Sequence, residues 1–198
     1  VLEVLRQPLE EKRVVVSRAK YSVEYPANFT LVAAMNPCPC GYYNHPTREC
    51  TCSPGSVHRY MGRISGPLMD RIDLHVEVTP VAPQELSATA PGEPSAAIRE
   101  RVVRAREVQA ERFRNTEGVH TNSMMNSAAL REYCRLDAAS AALLERAMER
   151  LSLSARAYDR ILKVARTIAD LAGRRDIVPA DVAEAIKYRS LDRGNWGR

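Results

Sequence analysis

FTLVAAMNPCPCGYYNHPTRECTC, Phe29 to Cys52, is the stretch on which the reading turns. Five consecutive apolar residues, Leu31-Val32-Ala33-Ala34-Met35, predict a strand buried on both faces, as in a parallel sheet. The run stops at one polar side chain, Asn36, with Pro37 directly after it. In open α/β sheets ligands bind just beyond the carboxyl ends of the strands, so Asn36 stands where a ligand is expected. A backbone-capping role for the same amide is the plainer alternative. Four cysteines follow as Cys38-Pro-Cys40 and Cys50-Thr-Cys52. They can surround one tetrahedral Zn²⁺ if the loop folds back on itself, although structural zinc sites more often use Cys-x₂₋₄-Cys. Four thiolates leave no open coordination position, so such a site is structural. The alternative is four reduced cysteines in a flexible loop. His45 and His58 are nearby alternative ligands, for each of which a surface histidine is the plainer reading.

The bulk composition sets the frame. The chain has 198 residues, 45% hydrophobic and 27% charged, with a net charge of +5. That suffices for one or two globular domains, and the mild basic balance permits an anionic partner without requiring one. No apolar run approaches the length that spans a bilayer. No secretory signal is visible, and paired cysteines with a fifth, Cys134, standing alone fit intracellular metal binding better than a secreted disulfide framework. The expectation is a cytoplasmic protein without a membrane partner. The chain opens at Val1 within a helical pattern, which reads as part of a longer protein.

Upstream, Val1 to Glu11 has helical spacing, with Pro8 predicting an end or bend near Gln7. Arg13-Val-Val-Val16 and Tyr21 to Tyr25 predict a hairpin with Arg18 and Lys20 at or near its tip. Downstream, Val57 to Arg63 predicts a short helix, and Leu74 to Val78 alternates as a strand. Arg71, between Asp70 and Asp73, either pairs with those neighbours or projects toward a phosphate on another subunit; arginine suits the second task because it binds phosphate bidentately and stays charged. Proline and small residues from 81 to 94 mark a linker. Helices follow: Ser95 (as cap) to about Arg114, Ser127 to Cys134, Asp137 to Leu151, Ser154 to Ala172 stopped by Gly173, and Pro179 to Arg189. Asn115 to Asn126 reads as a polar loop. Arg156 lies in the first turn of its helix, with Arg160, Lys163 and Arg166 farther along. Spacing alone does not single it out.

The order of these features is more specific than any one of them. A strand ending in Asn, an Arg before a strand, a linker, and a helical bundle with an Arg at a helix start resemble the second half of an AAA+ ATPase. The stretches AAMNPCPCGYYNHPTRECTCSPGSVHRYMGRISGPLMDRIDLHVEV (33–78) and LSARAYDRILKVARTIADLAG (153–173) are similar to the magnesium-chelatase-like ATPases of the ComM/YifB family. The fold implied is the second half of an α/β P-loop-type core with a cysteine-rich insertion (1–80), a linker (81–94), an all-α helical lid (95–190) and a frayed tail (191–198). The resemblance implies that Asn36 is sensor 1, that Arg71 is an arginine finger acting in trans, and that Arg156 is sensor 2 near the γ-phosphate. It implies that the Arg13 to Tyr25 hairpin points into a central pore, where Arg18 and Lys20 touch nucleic acid. Its further implications are ATP with Mg²⁺, hexameric rings, and branch migration on DNA as in the competence member.

One departure stands out. The 198 residues contain no G-x-x-x-x-G-K-[ST] loop and no acidic Walker B run, so this stretch alone is expected not to hydrolyse ATP. Two other readings compete with the DNA motor: a chelatase-type ATPase that remodels a protein partner for metal insertion, and a non-enzymatic zinc and nucleic-acid-binding module.

Overall fold

The computed structural model describes residues 2–78, 80–81 and 92–189. Most of the 81–94 linker and all of the 191–198 tail lie outside the described residues. The described residues divide into two compact units, 2–72 and 73–189.

The first unit begins with a 3₁₀ turn, Leu2–Leu5, that passes into helix α1, Arg6–Glu11. Pro8 sits in the first turn of α1, where its missing N–H breaks no helical hydrogen bond. The helix type changes at Arg6, and α1 runs on past Gln7, where an end or bend was expected, to Glu11. Strands β1 (Arg13–Arg18) and β2 (Tyr21–Pro26) pair antiparallel, with Val16 opposite Val23 and Arg18 opposite Tyr21. Ala19 and Lys20 are left as a two-residue turn, so Arg18 and Lys20 share the hairpin tip. Among the described residues this is the one sheet.

The strand expected at 31–35 is a correction. These residues form no ladder, and Leu31, Val32 and Met35 are exposed, Val32 by 88%. A strand exists only against a hydrogen-bonding neighbour, and β1 and β2 are each other's partners. Leu74 to Val78 is corrected for the same reason: it forms no ladder, and Val76 and Val78 are exposed.

Helix α2, Pro54–Met61, starts at Ser53, whose hydroxyl accepts the Ser56 N–H, and has Pro54 in its first turn. Helix α3, Gly66–Met69, is capped by Ser65 in the same way through Leu68 N–H. A small cluster of Cys38, Val57 and Met61 is buried here, with Tyr43, Tyr60 and the other three thiols of the loop against it.

The second unit is helical. Helix α4, Ser95–Arg112, starts one residue earlier than expected: Pro94 is its N-cap, and Ser95 is its first helical residue. Ile98, Val102 and Val108 of this helix are exposed, whereas Ala105, Gln109 and, just past its end, Phe113 are buried. Helix α5, Ser127–Tyr133, is capped by the Asn126 side chain; α6, Ala138–Arg150, by Asp137; and α7, Ala155–Leu171, by Ser154. Gly173, at φ +68°, ends the last of these as expected. Helix α8, Pro179–Lys187, has Pro179 in its first turn, and Asp181 accepts the Val178 N–H.

Helix α7 is the centre of this unit. Its Ile161, Ala165 and Ala169 are fully buried at helical spacing, against Phe113, Leu144, Ile177 and Val182. The same buried stripe carries Arg166 and Asp170. Asp170 accepts both terminal nitrogens of Arg112 (2.7 and 2.5 Å), Arg166 Nε (3.1 Å) and Asn122 Nδ2 (2.8 Å). Arg166 donates onward to the carbonyls of Arg174 and Arg175 at 2.7 Å each. The described residues are thus largely helical with one small sheet, which is compatible with an α/β portion followed by a helical one.

Candidate metal centre

The Cys38–Cys52 loop returns on itself and brings its four thiols together. The sulfurs of Cys38, Cys40, Cys50 and Cys52 all lie within 4.8 Å of one another. Cys38 and Cys40 are 3.3 Å apart, Cys40 and Cys50 3.5 Å, and Cys38 and Cys50 3.7 Å. These distances are too long for disulfides. A zinc ion held tetrahedrally at about 2.3 Å by four sulfurs sets them about 3.8 Å apart. Small shifts of the thiols therefore suffice to hold a metal ion. Gly41, at φ +84°, makes the turn after the first pair, and Ser53 starts α2 directly after the second.

The electrostatics of the cluster favour a cation. The Tyr42 backbone N–H and the Cys38 thiol, with further help from the Thr51 amide, pull Cys40 down to about 5. For Cys50 the Cys52 amide works downward too, but burial and the facing sulfurs outweigh it and push the thiol up to about 12. Cys52 is raised by the same two causes against the pull of the Cys40 amide. One thiolate forms readily beside its neighbours, and further thiolates repel it. A divalent cation at the centre removes that repulsion. His45 and His58 stand outside the four-sulfur group. Instead, His45 Nδ1 accepts the backbone N–H groups of Thr47 and Arg48 at 3.2 and 3.1 Å and so shapes the loop.

The other expected residues are placed as follows. Asn36 is exposed, two residues before Cys38. Arg71 follows α3 with its side chain 11% exposed; it donates to the Pro67 carbonyl at 2.7 Å and forms an ion pair with Glu10 of α1. Asp70 and Asp73 are its neighbours along the chain, whereas the Glu10 pairing, 61 residues away, carries no local signal. Asp73 pairs instead with Arg160 of α7. Arg18 and Lys20 are exposed on the hairpin. Arg156 is exposed in the first turn of α7, in the second unit, whereas Asn36 and Arg71 belong to the first.

Two sequence families match the chain. Residues 1–86 match the family described as magnesium chelatase, subunit ChlI, and residues 92–189 match its C-terminal family, magnesium chelatase, subunit ChlI C-terminal. Competence protein ComM of Haemophilus influenzae is 47% identical over 195 residues, and YifB of Escherichia coli is 42% identical over 193. These alignments cover 98% and 97% of this chain but 37% of each relative, so the chain spans little more than a third of their length. The chain belongs to the magnesium-chelatase-like ComM/YifB family. Among the described residues no helix is long and apolar enough to cross a membrane.

Proposed function

We propose that this chain serves as the C-terminal part of a magnesium-chelatase-like AAA+ ATPase that moves on DNA as a hexameric ring in the cytoplasm. The observation that carries this reading is the 47% identity to a competence protein over 98% of the chain. ATP and Mg²⁺ are held largely by residues beyond this chain, which has neither a P-loop nor a Walker B run. Asn36 orients the attacking water as sensor 1. Arg71 reaches a γ-phosphate on the neighbouring subunit, and Arg156 approaches the nucleotide from the helical lid. A guanidinium supplied in trans stabilises charge on the transferring phosphoryl group. Arg71 is held beforehand by Glu10 and the Pro67 carbonyl, which limits its rotamers before a phosphate arrives. The hairpin tip, with Arg18 and Lys20, touches DNA phosphates in the pore.

In this reading residues 81–94 link the α/β core to the lid at 95–190. Zn²⁺ at Cys38, Cys40, Cys50 and Cys52 holds the loop closed and takes no part in the reaction.

The family description, a magnesium chelatase subunit, favours a second reading in which the ATPase remodels a protein partner for metal insertion. ATP turnover by the full-length protein, with and without branched DNA and with Arg71→Ala, separates the two. The motor reading expects turnover that DNA stimulates and that the substitution abolishes. Turnover indifferent to DNA supports the remodelling reading.

A further inference from the structure

The loop and helix around the four sulfurs carry an uneven surface charge. Between Pro37 and Arg63 there are three arginines, Arg48, Arg59 and Arg63, and one acidic residue, Glu49. All three arginines are exposed, and none is bonded to a carboxylate among the described residues. Some exposed arginines elsewhere do pair with carboxylates: Arg13 with Glu24, Arg101 with Glu93, and Arg104 with Glu100. Around the cysteines the arginines lie against rings and backbone instead. The Arg48 guanidinium sits 5.1 Å from the Tyr42 ring centroid and donates to its hydroxyl at 2.7 Å. Arg63 sits 5.6 Å from the Tyr60 ring. Arg59 Nε donates to the Gly55 carbonyl at 3.3 Å. Tyr60 packs on the buried Cys38–Val57–Met61 cluster, so the elements that gather the sulfurs also fix this platform.

A guanidinium laid on an aromatic ring has lost rotamer freedom in advance and keeps edge donors for an oxyanion. Such a ring can also stack an unpaired base, and alternation of cations with aromatic faces is how proteins hold single-stranded nucleic acid. We infer that the cysteine-centred module is itself a binding surface for single-stranded nucleic acid, with Arg48, Arg59 and Arg63 on phosphates and the Tyr42 and Tyr60 platforms stacking bases. This goes beyond the proposed function, which places DNA on the Arg18–Lys20 hairpin.

The test is the affinity of the full-length protein for a fluorescein-labelled oligo(dT), read by anisotropy across a salt series. Each phosphate contact on a single strand contributes about 0.7 to the log–log salt slope, so Arg48→Ala/Arg63→Ala should flatten it by about 1.4. With the two stacking platforms disturbed, the affinity should fall by about tenfold or more. Arg48→Lys/Arg63→Lys, which keeps the charge and loses the planar guanidinium, should keep the slope and weaken binding by a smaller factor. This second variant carries the test if circular dichroism shows the alanine pair to be unfolded. Unchanged affinity and slope in the folded alanine pair overturn the inference, as does equal displacement of the oligonucleotide by polyglutamate. Arg18→Ala/Lys20→Ala separates the two sites: loss of binding there, with the module variants unaffected, sinks this inference and leaves the motor reading standing. Weakened binding by the module variants, with ATP turnover indifferent to DNA, supports the inference and sinks the motor reading.

Discussion

Asp170→Ala removes the acceptor at the centre of the helical unit. The carboxylate is fully buried and receives four hydrogen bonds, two from Arg112 and one each from Arg166 and Asn122. Removing one partner of a buried ion pair costs about 3–5 kcal/mol, because the remaining charge stays desolvated. Two features place the loss here at the low end, about 3 kcal/mol on that scale. Arg166 keeps its bonds to the Arg174 and Arg175 carbonyls, and Arg112 keeps 12% of its side chain in water. A domain's whole stability is about 5–15 kcal/mol, so the effect is large. In urea unfolding followed by circular dichroism, the midpoint should fall by roughly 1–3 M at the usual slope of about 1–3 kcal/mol per molar. Arg112→Met should then cost less in the Asp170→Ala background than in the native protein, with coupling of about 0.5–3 kcal/mol. A loss below about 1 kcal/mol, the size of an ordinary exposed pair, would refute the reasoning.

Three further outcomes follow from named groups. Zinc uptake at neutral pH should release protons from Cys50 and Cys52, which are raised, and none from Cys40, which is pulled down to about 5; Cys38→Ser should abolish stoichiometric zinc binding by elemental analysis, and full retention would reject the four-sulfur site. Asp137 is held below the usual carboxylate range by Ser140, whose backbone N–H donates to it at 2.7 Å. Its cap therefore stabilises α6 above the unfolded pKa, near about 4, and that contribution disappears as pH falls through the lower folded value; Asp137→Asn should flatten the acid limb of a pH–stability curve, and an unaltered limb would discount the cap. Burial pushes Cys134 up to about 11, so its alkylation by iodoacetamide at neutral pH should be much slower than that of an exposed thiol, and rapid labelling would show that the site opens.

The sequence was most legible where local chemistry decides the structure. Asp137 and Ser154 mark helix starts because a side-chain oxygen three residues ahead of an amide satisfies it. Gly173 marks a stop because the left-handed turn there suits glycine. The hairpin was legible from β-branched residues on either side of a short turn. Legibility ended where the partner is distant in sequence. Leu31 to Met35 has strand composition, but composition does not supply the neighbouring strand. The Glu10–Arg71 pair had no spacing to announce it. Asn122 read as part of a polar loop and is buried against Asp170. Arg166 and Asp170, four residues apart on an apolar face, offered a signal that a buried ion pair lay there. The four cysteines were legible as a group, and their convergence depended on a turn at Gly41 that Cys-x-Cys spacing does not specify.

The central claim is that Arg71 completes an ATP site on the neighbouring subunit. The direct measurement mixes two full-length variants, Arg71→Ala and one lacking the P-loop lysine, and follows ATP turnover with branched DNA present. Each is expected to be inactive alone. Mixing places an intact Arg71 beside an intact P-loop at some interfaces, so turnover should return. A mixture as inactive as its components would contradict the claim.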